Sequence, residues 1–369
     1  MTKVQISGGM FIAIVINLIY AKAIGLTQGS IAREVGSDMW LATLLAIIQG
    51  VFVMWLTFKV MSRAPKHTII QHSFFLLGKW GGKIVALLLF LFLTGAFVVV
   101  LATFVYHLND YFLPDAPIYL FCGVAFIVGV FSAFHGLEVL GRVALIGGLL
   151  LFFLNMLIIL GSLSYFDIRE LMPVFDSGVV RTAWASRFHN SDWAIATVIA
   201  GILYPSIAKK GSTFHPGVMG ILFAGFMVIM WPILEAGVLS PEVTGSYNIS
   251  CMQMARSAEV GLFLHRYELI MIAFFAVSTF TQVSIIFLSA SICTQQMFGM
   301  KDFRPVLIPV ALLLSSVGLW IVLDHSRAMI FIENYWVTLA LSIAIPLPIL
   351  LWILGKIFKG RLKQGAKGG

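Results

Sequence analysis

The sequence predicts an all-α polytopic membrane protein with ten transmembrane helices, and three observations carry that prediction. Of 369 residues, 60% are hydrophobic and only 11% charged, with a mean hydropathy of +0.99, whereas soluble chains carry roughly a quarter charged residues. Apolar runs long enough to cross a hydrocarbon layer of ~30 Å, about 20 residues each, recur from Gly8 almost to the C-terminus. The runs show no period-2 alternation, and backbone in lipid must satisfy its own hydrogen bonds, so helices rather than barrel strands are expected.

The first span covers about 8–26 and contains Ile16-Asn17-Leu18-Ile19-Tyr20-Ala21-Lys22-Ala23-Ile24-Gly25. A lysine inside an apolar helix is costly and marks a functional candidate. Pointing inward, Lys22 holds a carboxylate or stands in for a coupling cation; pointing outward, it snorkels along its aliphatic stem to the interface. Lys3, the apolar run from Met10 to Tyr20 and Ala21-Lys22-Ala23 also mimic a cleavable signal peptide, a competing reading of this segment.

Spans two to five are expected at about 39–61, 84–107, 117–135 and 143–163. Span six, 193–208, is short and carries Gly201 and Tyr204-Pro205 before Lys209-Lys210. Proline removes a donor and disturbs the preceding turn, which makes this either an interrupted helix with free carbonyls or the end of a short span. Span seven, 216–239, holds Glu235, a carboxylate well inside an apolar run, which either pairs with Lys22 or serves a proton path.

Span eight, 265–297, is long and polar along one side: Ser278, Gln282 and Ser289 share a face. Such a stripe either glues helices together or lines a cavity. Spans nine and ten are expected at 305–323 and 333–356. His107 and His135 fall at span ends and are expected to contact loops, while Arg266 and Glu268 are expected to stay hydrated at the start of span eight. No loop is large enough for a separate domain, so 1–369 is expected to form one transmembrane domain. The longest loops are 164–192 and 240–264; stretch 175–193, with Trp184 and Trp193, is either interfacial or mobile.

Alternate assignment of loops tests orientation. With the N-terminus in the cytoplasm, that side receives fifteen Lys and Arg residues, including Arg63, Lys66, Lys79, Lys83, Arg142, Lys209, Lys210 and the tail from Lys356 to Lys367, against six on the other side. Both termini are therefore expected inside. The net charge of +8 lies in short loops and the tail, which fits topology and attraction to anionic membrane lipid rather than nucleic acid. Cys122, Cys251 and Cys293 are far apart, with no C-x-x-C and no zinc spacing. No metal site and no cofactor are expected, and no nucleophile, base and orienting residue recur at an enzymatic spacing.

Ten spans invite comparison of the first five with the second five, because transporter folds often consist of inverted repeats whose first helices, here spans one and six, are broken near the bilayer middle.

Several segments resemble one family in the same order along essentially the whole chain. Phe166-Asp167-Ile168, Leu171 and Pro173-Val174 after span five are similar to an F-D-I-x-x-L-x-P-V segment. Tyr204-Pro205 with Lys209-Lys210, Gly237 through Leu239-Ser240-Pro241-Glu242-Val243, and Leu264-His265-Arg266-Tyr267-Glu268 followed by Phe298-Gly299 fit too, as does Gly136-Leu137-Glu138 with Arg142. They resemble the bacterial spore-germination permeases, the B subunits of nutrient germinant receptors, within the amino acid, polyamine and organocation transporter superfamily.

The resemblance implies a LeuT-like 5+5 inverted repeat with broken helices 1 and 6, and a nutrient pocket between spans 1, 3, 6 and 8. The candidate substrate-binding residues on these spans are Tyr20, Ala21, Lys22, Ala23, Gly25, Phe97, Leu101, Thr197, Ala200, Gly201, Tyr204, Ser278 and Gln282, and Lys22 and Glu235, the ionisable residues inside apolar runs, are the candidate coupling charges. The resemblance also implies germinant-receptor A and C subunits as partners and the bacterial cytoplasmic (spore inner) membrane as location. The chain departs from the family twice. Tyr20-Ala21-Lys22-Ala23 replaces a glycine-rich break in span one, and Thr197-Val198-Ile199 replaces a glycine followed by a glutamate in span six. Losing an acid and gaining a base would shift a pocket by two charges.

The function expected on this basis is nutrient sensing: binding an amino acid or similar small solute and signalling to partner subunits. The alternatives are a proton-coupled amino acid transporter and a structural receptor subunit with a vestigial pocket.

Overall fold

The computed structural model describes residues 5–208, 215–258 and 267–360. Lys3, Lys209-Lys210, Glu259, Leu264-His265-Arg266 and the basic residues from Arg361 onward lie outside them. Helices make up most of the described chain, and its β pairing is one isolated bridge between Ile6 and Ile207.

The helices are α1 (Gly8–Gly25), α2 (Thr27–Val35), α3 (Met39–Met61), α4 (Ile69–Tyr111), α5 (Ile118–His135), α6 (Leu137–Ser162), α7 (Val179–Ala185), α8 (Arg187–Leu203), α9 (Pro216–Leu239), α10 (Pro241–Ser246), α11 (Ser250–Ser257), α12 (Tyr267–Phe298), α13 (Arg304–Val322), α14 (His325–Ile330), α15 (Val337–Ala344) and α16 (Pro346–Ile357). A single π-helical stretch, Phe331–Trp336, joins α14 to α15. Among the described residues nine helical segments are long and apolar enough to cross a membrane. The expected sixth span falls on α8, which at 17 residues is just short of that length and is buried in the bundle.

Local chemistry sets the ends. Ser7 caps α1 by accepting from the Met10 N–H, and Thr68 with Gln71 forms a reciprocal capping box that opens α4. Pro216 and Pro241 occupy the first turns of α9 and α10, where a missing N–H costs nothing. Within the 43 residues of α4, Gly78 takes φ +75, so the first turns form a separate piece that carries the chain into the span. Lys79 and Lys83, expected in a loop, sit on this helix.

The sides of the bundle present large apolar side chains such as Ile127, Phe131, Ile146 and Trp320 outward, the surface that lipid replaces water against. Inside, α1 packs on α6, α8, α9 and α12, while α2 packs on α7, α8 and α10. The start of α1 is tied to the end of α8, since the Ile6 N–H donates to the Ser206 carbonyl at 2.9 Å and the Ala208 N–H to the Ile6 carbonyl at 2.8 Å. This end of the bundle is called the N-terminal face below, and the end carrying α2, α7 and α10 the opposite face.

Span one ends where expected, with α1 closing at Gly25, and a nine-residue α2 follows it before α3. Other expectations are corrected. Span six begins at Arg187 rather than 193, and Tyr204-Pro205 lies in a 3-10 turn that ends it. Pro205 is thus a terminator, and Ser186 joins α8 to the short α7 before it. Of the two aromatic anchors in 175–193, Trp184 is exposed and Trp193 is buried inside the bundle. Glu268, expected to be hydrated, is buried.

Candidate functional site

Two pairs of consecutive helices are broken by a single residue near the opposite face: α1 gives way to α2 at Leu26, and α7 to α8 at Ser186. The first break needs Gly25. A Cβ there would lie 2.8 Å from both the His107 ring and the Thr103 methyl of α4, so any larger residue would push α1 off α4.

Charged and polar groups converge between the breaks. Lys22 Nζ lies 2.5 Å from Asp192 Oδ1 and donates to Thr27 Oγ1 at 2.9 Å. The other carboxylate oxygen, Asp192 Oδ2, is 3.1 Å from Thr27 Oγ1 and 3.0 Å from His189 Nδ1. Gln28 Nε2 reaches the Ala23 carbonyl at 3.3 Å and His189 Nε2 at 3.4 Å. Lys22, Thr27, Gln28, His189 and Asp192 are all buried. One ammonium, one carboxylate, an imidazole, a hydroxyl and the Gln28 amide nitrogen therefore meet across the two breaks, which helps a charge pair persist in an apolar interior, while Gln28 Oε1 has no hydrogen-bond partner among the described residues.

One turn closer to the N-terminal face, α12 grips α1 through a backbone carbonyl. Ser278 Oγ and Gln282 Nε2 both donate to the Asn17 carbonyl, at 3.1 and 2.6 Å. The Asn17 side chain donates to the carbonyls of Ala13 and Ala144. Beside it Tyr20, Asn155 and Trp231 form a closed triad joining α1, α6 and α9: Tyr20 OH to Asn155 Oδ1 at 3.1 Å, and Trp231 Nε1 to Tyr20 OH at 2.9 Å and to Asn155 Oδ1 at 3.0 Å.

Glu235 belongs to a separate cluster. Its Oε2 accepts from Ser250 Oγ at 2.6 Å, and its Oε1 has no hydrogen-bond partner among the described residues. Cys251 of α11 lies 3.5 Å from His107 Nε2, while His107 Nδ1 sits 2.6 Å from the Thr103 carbonyl. The expected Lys22–Glu235 pair is not formed, because Asp192 holds the lysine. His107 is a buried helix residue rather than a loop contact.

The opposite face is strapped shut over this region. Arg33 Nη2 of α2 lies 2.5 Å from Glu333 Oε1 in the π-helical stretch, and Ser30 Oγ donates to the same oxygen at 2.9 Å. Arg187 and Glu34 form a two-pronged pair at 2.6 and 2.7 Å, joining α8 to α2 in the geometry a guanidinium favours.

The residues named from the sequence divide into two groups. Tyr20, Ala21, Lys22, Ala23 and Gly25 are buried along the end of α1, and Ser278 and Gln282 reach that helix from α12. Others point elsewhere. Phe97 stacks on Phe287 at 5.0 Å, and Phe97 and Leu101 crowd Gly318 of α13. Thr197 donates to the Ala194 carbonyl and borders a lateral cleft. Gly201 packs on Ile69, Tyr204 packs edge-on against Phe58, and Ala200 is buried in α8. The snorkelling reading of Lys22 fails, since its side chain turns inward.

The residue missed by sequence reading is Asp192, together with His189, Thr27 and Gln28. Asp192 balances the Lys22 charge between the breaks. The available signal was the His189/Asp192 spacing of three, which places both on one helical face. It was hidden because the polar run 187–192 reads as loop.

The family model described as spore germination protein matches residues 5–323. Spore germination protein YndE of Bacillus subtilis (strain 168) is 25% identical over 353 residues, covering 93% of this chain and 94% of that protein. Spore germination protein KB of the same organism is 21% identical over 383 residues, covering 100% of this chain and 99% of that protein. Among solved structures, Mhp1, a nucleobase-cation-symport-1 family transporter in a closed conformation with bromovinylhydantoin bound, superposes with a TM-score of 0.71 at 12% identity. The match covers 95% of this chain and 78% of that one, and it shows a shared LeuT-type fold.

Proposed function

The chain belongs to the spore germination protein family, and from that premise we propose that it is the permease-like membrane subunit of a nutrient germinant receptor. It senses a small zwitterionic solute, an amino acid or a close analogue, between the two helix breaks. The Lys22–Asp192 pair carries this reading. A zwitterion offers the same two charges as the pair, so its carboxylate takes the Lys22 ammonium while its ammonium takes Asp192, exchanging one buried pair for two. Thr27, whose hydroxyl bridges the pair, gives the solute a further polar partner, while Ser278 and Gln282 hold α1 through the Asn17 carbonyl. The ion pair ties α1 to α8, so a ligand that opens it binds one arrangement of these helices better than the other. That difference is the signal passed to partner subunits.

In this reading the N-terminal face is cytoplasmic, where the basic loops lie, and the membrane is the spore inner membrane. The A and C subunits of the receptor are the partners, and the whole chain acts as one transmembrane unit. The Lys22 ammonium takes the place of a coupling cation, so binding is independent of sodium. Membership of a permease family and a transporter-type fold favour a receptor or carrier over an enzyme.

A thermal-unfolding screen of the purified protein against amino acids, sugars, nucleosides and ions tests the proposal, since a ligand stabilises the state it binds. An amino acid is expected to raise the melting temperature equally in sodium and choline buffers, and Asp192→Asn is expected to remove that shift in a protein that still folds. A shift that requires sodium, or one unaffected by Asp192→Asn, would overturn it. A second reading, proton-coupled transport, is favoured by the unpartnered Oε1 of buried Glu235. Accumulation of labelled amino acid in proteoliposomes, abolished by Glu235→Gln, would select the carrier over the sensor.

A further inference from the structure

The ends of α3 and α16 meet at the N-terminal face. The start of α9 lies beside both the start of α1 and the end of α3, with Pro216 next to Gly8 and Gly217 next to Phe58. Arg63, two residues past the end of α3, donates from Nη1 to the Trp352 carbonyl of α16 at 2.9 Å. Three cations gather at this junction. Lys356 Nζ stands 3.6 Å from the centre of the Trp352 ring, and Lys59 Nζ stands 4.4 Å from that of Trp55. Lys59 and Arg63 are four residues apart on the turns that end α3, so both lie on its side toward α16. Lys59 and Lys356 are exposed, and Arg63 is partly buried.

The protein supplies little to balance them. Among the described residues none of the three forms an ion pair, and the acids that open α6 and precede α13, Glu138 and Asp302, are taken by Arg142 and Arg304. Helix C-termini attract basic side chains, but each is equivalent to only about half a negative charge, so roughly two of the three positive charges stay uncompensated. The surroundings define the missing anion. Amphipathic cations resting on indole rings mark the level where helices leave the hydrocarbon. Toward the middle of the bundle the exposed side chains beside the cluster are hydrocarbon: Ile48 and Phe52 on α3, Ile349 and Ile353 on α16. A soluble anion would meet the charge and leave this flank bare, whereas an anion that carries acyl chains covers both.

We propose that the Lys59–Arg63–Lys356 cluster is a binding site for the phosphate headgroup of an anionic membrane phospholipid. The hydrogen bond to the Trp352 carbonyl fixes the Arg63 guanidinium through Nη1 and leaves Nε and Nη2 for two phosphate oxygens, the fork geometry that makes arginine the stronger phosphate partner. Lys59 and Lys356 add one point charge from each helix. The headgroup thereby bridges the ends of two helices that are far apart in the chain.

The test is native mass spectrometry of the delipidated full chain, titrated in detergent with phosphatidylglycerol and, separately, with phosphatidylcholine. Phosphatidylglycerol is expected to bind at least about tenfold more tightly, and Lys59→Gln, Arg63→Gln and Lys356→Gln are each expected to weaken it about fivefold, the weight of one basic group at an anionic surface. The three positions lie on two elements at the surface, so failure of one variant to fold leaves the others. Lys83→Gln removes a cation from another Lys–Trp pair, on α4, and should leave the affinity unchanged. Equal affinity for the two lipids, or an equal loss in Lys83→Gln, would overturn the proposal by showing that the cluster is not selective or not special. Displacement of the bound phosphatidylglycerol by millimolar glycerol phosphate would overturn it in favour of a site for free anions.

Discussion

Lys22 and Asp192 close a 2.5 Å ion pair between α1 and α8, and each stands within two turns of the break that borders its own helix. The pair therefore fastens two helices at the point where each has least backbone support. Removing one partner strands the other charge in an apolar interior. Lys22→Met and Asp192→Leu alone are each expected to destabilise the protein by about 3–5 kcal/mol, whereas the double variant should regain most of that loss. Thermal unfolding in detergent measures the stability, and ligand response should be absent in all three. A double variant no more stable than the single ones would show that the pair does not act as a unit.

Gly147 illustrates how tightly α6 meets α1. A Cβ there would approach Asn17 Oδ1 to 2.5 Å, and Asn17 cannot swing away without losing its bonds to the Ala13 and Ala144 carbonyls. Gly147→Ala is expected to cost roughly 1–3 kcal/mol through overpacking. Gly123, whose added Cβ meets nothing within 4 Å, is the control, and Gly123→Ala should leave the melting temperature unchanged or slightly raised.

Cys251 of α11 tests the burial of the Glu235 cluster. Burial, reinforced by the nearby Glu235 carboxyl, pushes its thiol well above the ordinary range, while unfolded cysteine titrates near 8.5. The folded state therefore holds its proton where the unfolded state releases it, so this group's contribution to stability is complete below about pH 8 and falls as pH rises beyond it. Because the thiolate is the reactive form, native protein at pH 8 is expected to resist maleimide at Cys251 until it is unfolded. Rapid native labelling at that position would contradict the buried cluster.

How far the sequence foretold this follows from where each signal resides. Hydropathy carries the spans, because a helix in lipid must be apolar along its length: α3 and α9 begin and end where the apolar runs do. It fails where polar turns adjoin a break. The turns of α2 hold Gln28, Ser30, Arg33 and Glu34, and the first turns of α8 hold His189 and Asp192. Both read as loops, because their polar groups find partners that are distant in sequence: Ser30 and Arg33 in Glu333, Glu34 in Arg187, and Asp192 in Lys22. Lys22 stood out because it is alone in an apolar run, but its partner was camouflaged among polar neighbours. Phe97 and Leu101 sit on a helix with several faces, and theirs packs on Phe287 of α12 and Gly318 of α13.

The strap on the opposite face supplies the last expectation. Arg187 and Glu34 meet through two parallel hydrogen bonds, and the guanidinium also covers the Phe188 ring at 4.3 Å. Lysine keeps the charge but offers neither the planar fork nor the stacking surface. Arg187→Lys is therefore expected to lower stability by roughly 1 kcal/mol and to loosen α2 against α8 without unfolding the bundle. The sensitive readout is access to the covered side of α2: a Ser30→Cys reporter, beneath the Arg33–Glu333 contact, should react with a membrane-impermeant thiol reagent faster in the Arg187→Lys background than in the parent. Equal rates would mean that Arg33–Glu333 alone holds the face closed, and adding Glu333→Gln to the reporter would then have to raise the rate by itself.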